Sequence, residues 1–162
     1  MKSFLILPFL LLSIALKAQY AAPCAEVPEL NQQIVKVLKP YIGKKISRGE
    51  CWDAAKLALD AVGAKWDGLY EFGRVVNVKT ECIQPGDVLQ FENAVFKTTD
   101  ATGTMVEQFP HHTAIVSLVK GPGELEIMHQ NTGQSGKKMT VSSLNLKDLT
   151  KGKVTVYRPV AK

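Results

Sequence analysis

Ser47-Arg48-Gly49-Glu50-Cys51-Trp52-Asp53-Ala54-Ala55-Lys56-Leu57-Ala58-Leu59-Asp60-Ala61-Val62 reads as a helix with a cysteine at its start. Ser47 and Glu50 make an S-x-x-E capping box, in which each side chain satisfies a free N–H of the first turn. Cys51, Ala54, Ala55, Ala58 and Val62 fall on one stripe at helical spacing, and Gly63 is a natural stop. The small side chains of that stripe let a sheet approach closely. Upstream, residues 26–38 read as another amphipathic helix, with Pro28 in its first turn and Leu30, Ile34, Val37 and Leu38 on one face. Downstream the pattern changes to that of strands, expected over 74–78, 87–92, 94–98, 104–109, 112–119, 124–130, 138–142 and 154–158, with a helical turn at 144–149. Asn93, residues 100–103, Gly121-Pro122-Gly123 and residues 133–136 carry turn signals. Helices first and strands afterwards predict an α+β fold, with N-terminal helices packed on an antiparallel sheet.

The chain has 162 residues, 46% of them apolar, enough for one compact domain and too few for two. Met1-Lys2-Ser3, the apolar run from Phe4 to Leu16 and the small residue Ala18 match a secretory signal peptide over residues 1–18. The run is shorter than the roughly 20 residues that span a bilayer. Cleavage after Ala18 leaves a domain over 19–162, secreted or periplasmic, with no stable membrane insertion. Loss of Lys2 and Lys17 takes the formal charge from +5 to +3. That mild excess suits an anionic wall polymer and, without a block of Lys or Arg, does not argue for nucleic acid. Cys24, Cys51 and Cys82 are an odd number in an oxidising compartment, so one thiol stays single or pairs with another molecule. A Cys24–Cys82 bridge with Cys51 free is the pairing considered first; three free thiols remain an alternative. A monomer is expected.

A thiol in a helix's first turn lies beside unpaired N–H groups at the positive end of the dipole, and both favour the nucleophilic thiolate. Cys51 meets that condition, with the Glu50 charge opposing it. The plainer reading is a small buried hydrophobe on the helix stripe, and the histidines weigh against it. There are three: His111, His112 and His129. A hairpin through Lys120-Gly121-Pro122-Gly123 with Val119 opposite Glu124 sets His112 opposite Asn131 and His129 opposite Ala114. Alternate residues share a face, so His112, His129 and Asn131 converge while His111 points away. A slip of one residue reverses the arrangement. His112 is then the base for Cys51, and His129 or Asn131 holds its other ring nitrogen. Trp52 and Trp66 read as core or groove wall, and Asp87 as a turn or strand-start residue.

These stretches resemble a known superfamily. Gly49-Glu50-Cys51-Trp52-Asp53-Ala54-Ala55 looks like the nucleophile helix of papain-like enzymes. Gln84-Pro85-Gly86-Asp87-Val88-Leu89-Gln90-Phe91 resembles the P-G-D strand start of NlpC/P60 and CHAP domains. His112-Thr113-Ala114-Ile115-Val116 is similar to their base strand, and Ile127-Met128-His129-Gln130-Asn131 to the strand carrying the third catalytic residue. CHAP domains read Glu-x-Asn there, which puts His129 and Asn131 at those two positions; NlpC/P60 domains often have histidine. The resemblance spans Gly49 to Asn131 in unpermuted order. It implies a papain-like fold, the catalytic set Cys51, His112 and His129, Asn131 in support, and bacterial cell-wall peptide as substrate. Glu50 departs from the CHAP pattern, which usually has Gln before the cysteine; an oxyanion would therefore rest on backbone N–H groups or another donor.

The main expectation is amide hydrolysis through a thioester on Cys51. A catalytically silent wall-binding or interaction module is the alternative, motivated by Glu50. A Cys51/His112/His129 zinc site is a third reading, unsupported by any C-x-x-C or H-E-x-x-H. No cofactor or metal is called for, and the same triad would serve a transferase.

Overall fold

A computed structural model describes residues 19–133 and 135–162, and the expected signal peptide lies outside them. Helix α1 is Glu29–Leu38, continued by a short 3-10 turn at Lys39–Tyr41, and α2 is Cys51–Ala61. α1 buries Ile34, Val35 and Leu38, and α2 buries Ala54, Ala55, Ala58 and Leu59. The cap of α2 differs from the sequence expectation. Glu50, not Ser47, is the N-cap, and its box partner is Asp53, whose carboxylate accepts from the Glu50 N–H at 3.0 Å. Ser47 takes a positive φ of 50° instead. The shift makes Cys51 the first helical residue.

The strands are β1 (Ala64–Lys65), β2 (Arg74–Val75), β3 (Val88–Asp100), β4 (Gly103–Gly121), β5 (Glu124–His129), β6 (Thr140–Asn145), β7 (Leu149–Arg158) and β8 (Val160–Ala161). Six form one antiparallel sheet in the order β2-β7-β3-β4-β5-β6, and β1 pairs with β8. Both helices pack on one face, over Val88, Ile115, Met128 and Met139. The other face carries a second core of Leu89, Phe91, Ala94, Phe96, Phe109, Ala114, Val116, Leu125 and Ile127.

Asn93 does not turn the chain, as its sequence signal suggested. β3 runs through it, and the pairs Glu92↔His111 and Ala94↔Phe109 flank it without loss of register. Its φ of 48° shifts the side-chain alternation by one, so Phe91 and Ala94 both reach the same core. Pro110 stands opposite, where the missing N–H interrupts no pair recorded in the ladder. Four expected strands thus merge into two long ones.

The β4–β5 hairpin turns on Pro122-Gly123, with Gly121 opposite Glu124. Bulges at Lys120 and Ser117 each add a residue to β4. Together they restore the register read from the sequence, Val116↔Ile127 and Ile115↔Met128, before the site is reached.

Cys24 and Cys82 are bridged and Cys51 is free. The Pro85-Gly86-Asp87 segment is the dock for α1. Gly86, at φ 85°, lies so close to the Asn31 backbone that a side chain would collide with it. Asp87, fully buried, accepts from Asn31 Nδ2 at 2.9 Å, the Gln84 N–H at 2.9 Å, and Arg158 Nε and Nη2 at 3.1 and 2.8 Å. Arg158 Nη2 also donates to the Cys82 carbonyl at 2.6 Å. Asp87 therefore ties β3 to α1, β7 and the disulfide loop. Replacing it leaves a largely buried guanidinium, 12% exposed, without its counter-charge. Asp87→Ala is expected to cost about 3–5 kcal/mol of stability in urea unfolding; a loss under about 1 kcal/mol would show that this pair does not hold the layers together.

Candidate active site

The first turn of α2 is held to the sheet by one buried amide. Gln130, fully buried just past the end of β5, donates from Nε2 to the carbonyls of Glu50 at 2.7 Å and Ile46 at 3.1 Å. Its Oε1 accepts from the Ile46 N–H at 3.1 Å. The segment entering α2 is thereby fixed beside the end of β5. The β4–β5 pairing stops at Ile115↔Met128, so Thr113 and His112 extend beyond it. Cys51 occupies that opening, its sulfur beside the backbone N–H and hydroxyl of Thr113.

Pleating places Thr113 on the helix-covered face of β4 with Ile115, and His112 on the opposite face with Ala114. The two faces meet around the open end of β5. There Cys51, Phe109, His112, His129, Asn131 and Ser142 border one cavity of about 350 Å³. His112 lies 5.0 Å from the Phe109 ring and 5.9 Å from Phe91, centre to centre. Its Nε2 and His129 Nδ1 are 3.0 Å apart, and His129 Nε2 is 2.9 Å from Ser142 Oγ. Among the described residues His112 Nδ1 has no hydrogen-bond partner, and it is the nitrogen left for the cavity shared with Cys51. No hydrogen bond joins the Cys51 sulfur to His112; the two groups are cavity neighbours.

Asn131 does not hold an imidazole. It has left the strand at φ 63°, and its Nδ2 donates to Glu50 Oε2 at 2.8 Å. Glu50 Oε1 accepts from Lys137 Nζ at 3.0 Å. The pair forms the rim of the site. His111 is exposed but lines the same cavity, with Nε2 3.2 Å from the Gln90 amide nitrogen and its ring edge-on to Tyr70 at 4.5 Å. Gln90 Oε1 in turn accepts from the Thr113 hydroxyl at 2.7 Å. Ser142, Gln130, Thr113 and Gln90 were missed by sequence reasoning. Gln130 sat in a recognised motif without a role. Ser142 carries no local signal, because the β5–β6 pairing His129↔Thr140 closes a loop whose turn signals do not fix a register.

Electrostatics corrects the expectation of a ready thiolate. Burial pushes the Cys51 thiol above its ordinary value, against the N–H groups of Thr113 and Trp52, and the Glu50 charge adds to the rise. Burial also depresses His112 to about 3, with the positive charges of His129 and His111 adding to the effect, and depresses His129 to about 4. At neutral pH the site holds a thiol and two neutral imidazoles. Among the described residues no three His, Cys, Asp or Glu side chains are grouped to hold a metal ion.

Residues 28–162 match the family described as AIM3/BBC1 Cysteine proteinase-fold domain. No curated protein matches the chain. Among solved structures, "The crystal structure of Ly7917" superposes with a TM-score of 0.52 at 13% identity, covering 78% of this chain and 62% of that one. "The crystal structure of Ly7917 with the hydrolyzing product of MDP" does so with a TM-score of 0.52 at 15% identity, over 80% and 62%. This chain thus spans about three fifths of those neighbours, and at such identities the likeness is one of fold.

Both rings bind protons more readily in the unfolded chain, where histidine titrates near 6.5. Their burial therefore contributes stability that is fully present above about pH 6.5 and lost as the pH falls towards their folded values of about 3 and 4. The urea midpoint should drop steadily below pH 6.5, with neither ring titrating by NMR between pH 7.5 and 5; a ring titrating at its ordinary value would contradict this burial. Glu50→Gln removes the charge that opposes the thiolate. Alkylation of Cys51 by iodoacetamide at pH 8 should quicken about two- to threefold, a fraction of a pK unit; an unchanged rate would mean that the Glu50 charge does not reach the sulfur.

Proposed function

The chain belongs to the AIM3/BBC1 cysteine proteinase-fold domain family, and from that premise we propose that it is a thiol hydrolase of amide bonds. Cys51 is the nucleophile, His112 the base and His129 the residue that orients it. One observation carries the reading: a free thiol at the first residue of a helix opens on the same cavity as an imidazole whose far nitrogen is already engaged by a second imidazole.

The chemistry follows from the neutral resting state. As the Cys51 sulfur attacks a substrate carbonyl, its proton passes to His112 Nδ1, so thiolate and imidazolium form during attack rather than before it. The oxyanion develops beside the N–H groups of Cys51 and Trp52 at the start of α2, which lower its energy, while the Asp53 N–H is already engaged by Glu50. His112 returns the proton to the leaving amine and a thioester remains. Water, deprotonated by His112, then releases the acid and restores the thiol.

We infer a peptide substrate of the bacterial cell wall, a secreted enzyme and a monomer. The NlpC/P60 and CHAP-like motifs, the leader-like residues 1–18 and the neighbour described with a hydrolysis product of MDP support that assignment. A silent binding module on the same scaffold is favoured by the raised thiol and by the lack of a Cys51–His112 hydrogen bond.

Mass analysis of products released from whole peptidoglycan separates the two. Cleavage that falls by at least about a thousandfold in Cys51→Ala is the expected result. Cleavage that persists in Cys51→Ala refutes the thiol mechanism, and binding without turnover by the parent protein supports the silent module.

A further inference from the structure

We propose that Ser142 is a positioning residue that sets the tautomer of His129 and, through it, decides which nitrogen of His112 is bare. The proposal rests on His112 acting as the base for Cys51. Its observations are the unbroken chain from His112 Nε2 to His129 Nδ1 at 3.0 Å and from His129 Nε2 to Ser142 Oγ at 2.9 Å. β6 supplies Ser142 opposite Ile127, on the face that His129 shares. Ser142 is half-buried on the cavity wall and has no other side-chain hydrogen bond recorded among the described residues.

Two neutral imidazoles in this chain allow two proton arrangements that keep both hydrogen bonds. In the first, His112 Nε2–H donates to His129 Nδ1, His129 Nε2–H donates to Ser142, and His112 Nδ1 is bare towards the cavity. In the second every donor is reversed: Ser142 donates to His129 Nε2, His129 Nδ1–H donates to His112 Nε2, and the proton sits on His112 Nδ1. Only the first can take a proton from the Cys51 thiol. With Ser142 present, the buried His129 Nε2–H has its acceptor. Without Ser142, the first arrangement strands that N–H, whereas the second leaves only an unfilled lone pair. An orphaned buried donor is the rarer defect in folded proteins. Loss of the hydroxyl therefore tips both rings towards Nδ1–H and disables the base without touching it.

The test is a long-range ¹H–¹⁵N correlation spectrum of the full domain with labelled histidine at pH 7, alongside the rate of Cys51 alkylation. His112 and His129 should both be Nε2–H in the parent protein. Ser142→Ala should move both towards Nδ1–H and slow alkylation and kcat about tenfold, with KM unchanged. Ser142→Thr, which keeps a hydroxyl on the same strand face, should restore both; its amide spectrum also reports on the fold if Ser142→Ala proves unstable. A parent His112 carrying its proton on Nδ1, or tautomers indifferent to Ser142→Ala, overturns the proposal. If cleavage is lost in Cys51→Ala while the tautomers ignore Ser142, only this inference fails; if cleavage survives in Cys51→Ala, the hydrolase reading fails first.

Discussion

The site depends on Gln130. A helix that begins at Cys51 and a strand that ends at His129 are separated by nearly eighty residues of chain, and this buried amide brings them into one register. It gives the Ile46 N–H its acceptor and adds a second donor to the Ile46 and Glu50 carbonyls, which already accept from the Gly49 and Asp53 N–H groups. Because an amide both donates and accepts, one side chain fixes the approach in distance and in orientation. The Cys51 sulfur then falls beside Thr113, and His112 comes within reach of the same cavity.

Dryness shapes the chemistry from there. The aromatic bed of Phe91 and Phe109 and the closure by β6 hold His112 and His129 neutral, and the same burial outweighs the amide groups that favour a thiolate on Cys51. A site of this kind works through proton positions rather than standing charges. A chain of neutral donors and acceptors has only a few self-consistent states, which is why a single hydroxyl at its end carries weight. Glu50, held by Asn131 and Lys137 on the rim, is the charge that biases the sulfur.

The two long strands show how a locally correct signal can mislead. Asn93 has the left-handed backbone that its residue type favours, yet the ladder with β4 continues across it, with Pro110 facing it, while the pairing with β7 bulges there and Gly152 leaves room for its carbonyl. A left-handed residue can turn a strand back or merely shift its side-chain phase, and the neighbouring strands decide which. The hairpin behaves similarly. Its turn sits elsewhere than expected, and two bulges compensate, so the register at Ile115 and Met128 agrees with the sequence reading although its derivation through Val119 and Glu124 does not.

The sequence by itself pointed to the α+β order, a helix with Cys51 in its first turn, and the convergence of His112 with His129. The first two are short-range properties, carried by helical and strand periods, although the cap falls on Glu50 rather than Ser47; the third agrees with the sequence only because two bulges in β4 offset the displaced turn. Tertiary structure alone decided that Asn131 serves Glu50, that Asp87 anchors three elements, that Ser142 ends the histidine chain, and that the thiol rests protonated. Each of these depends on partners distant in sequence or on burial, and neither pairing across a long loop nor exclusion from water leaves a periodic trace in the residues concerned.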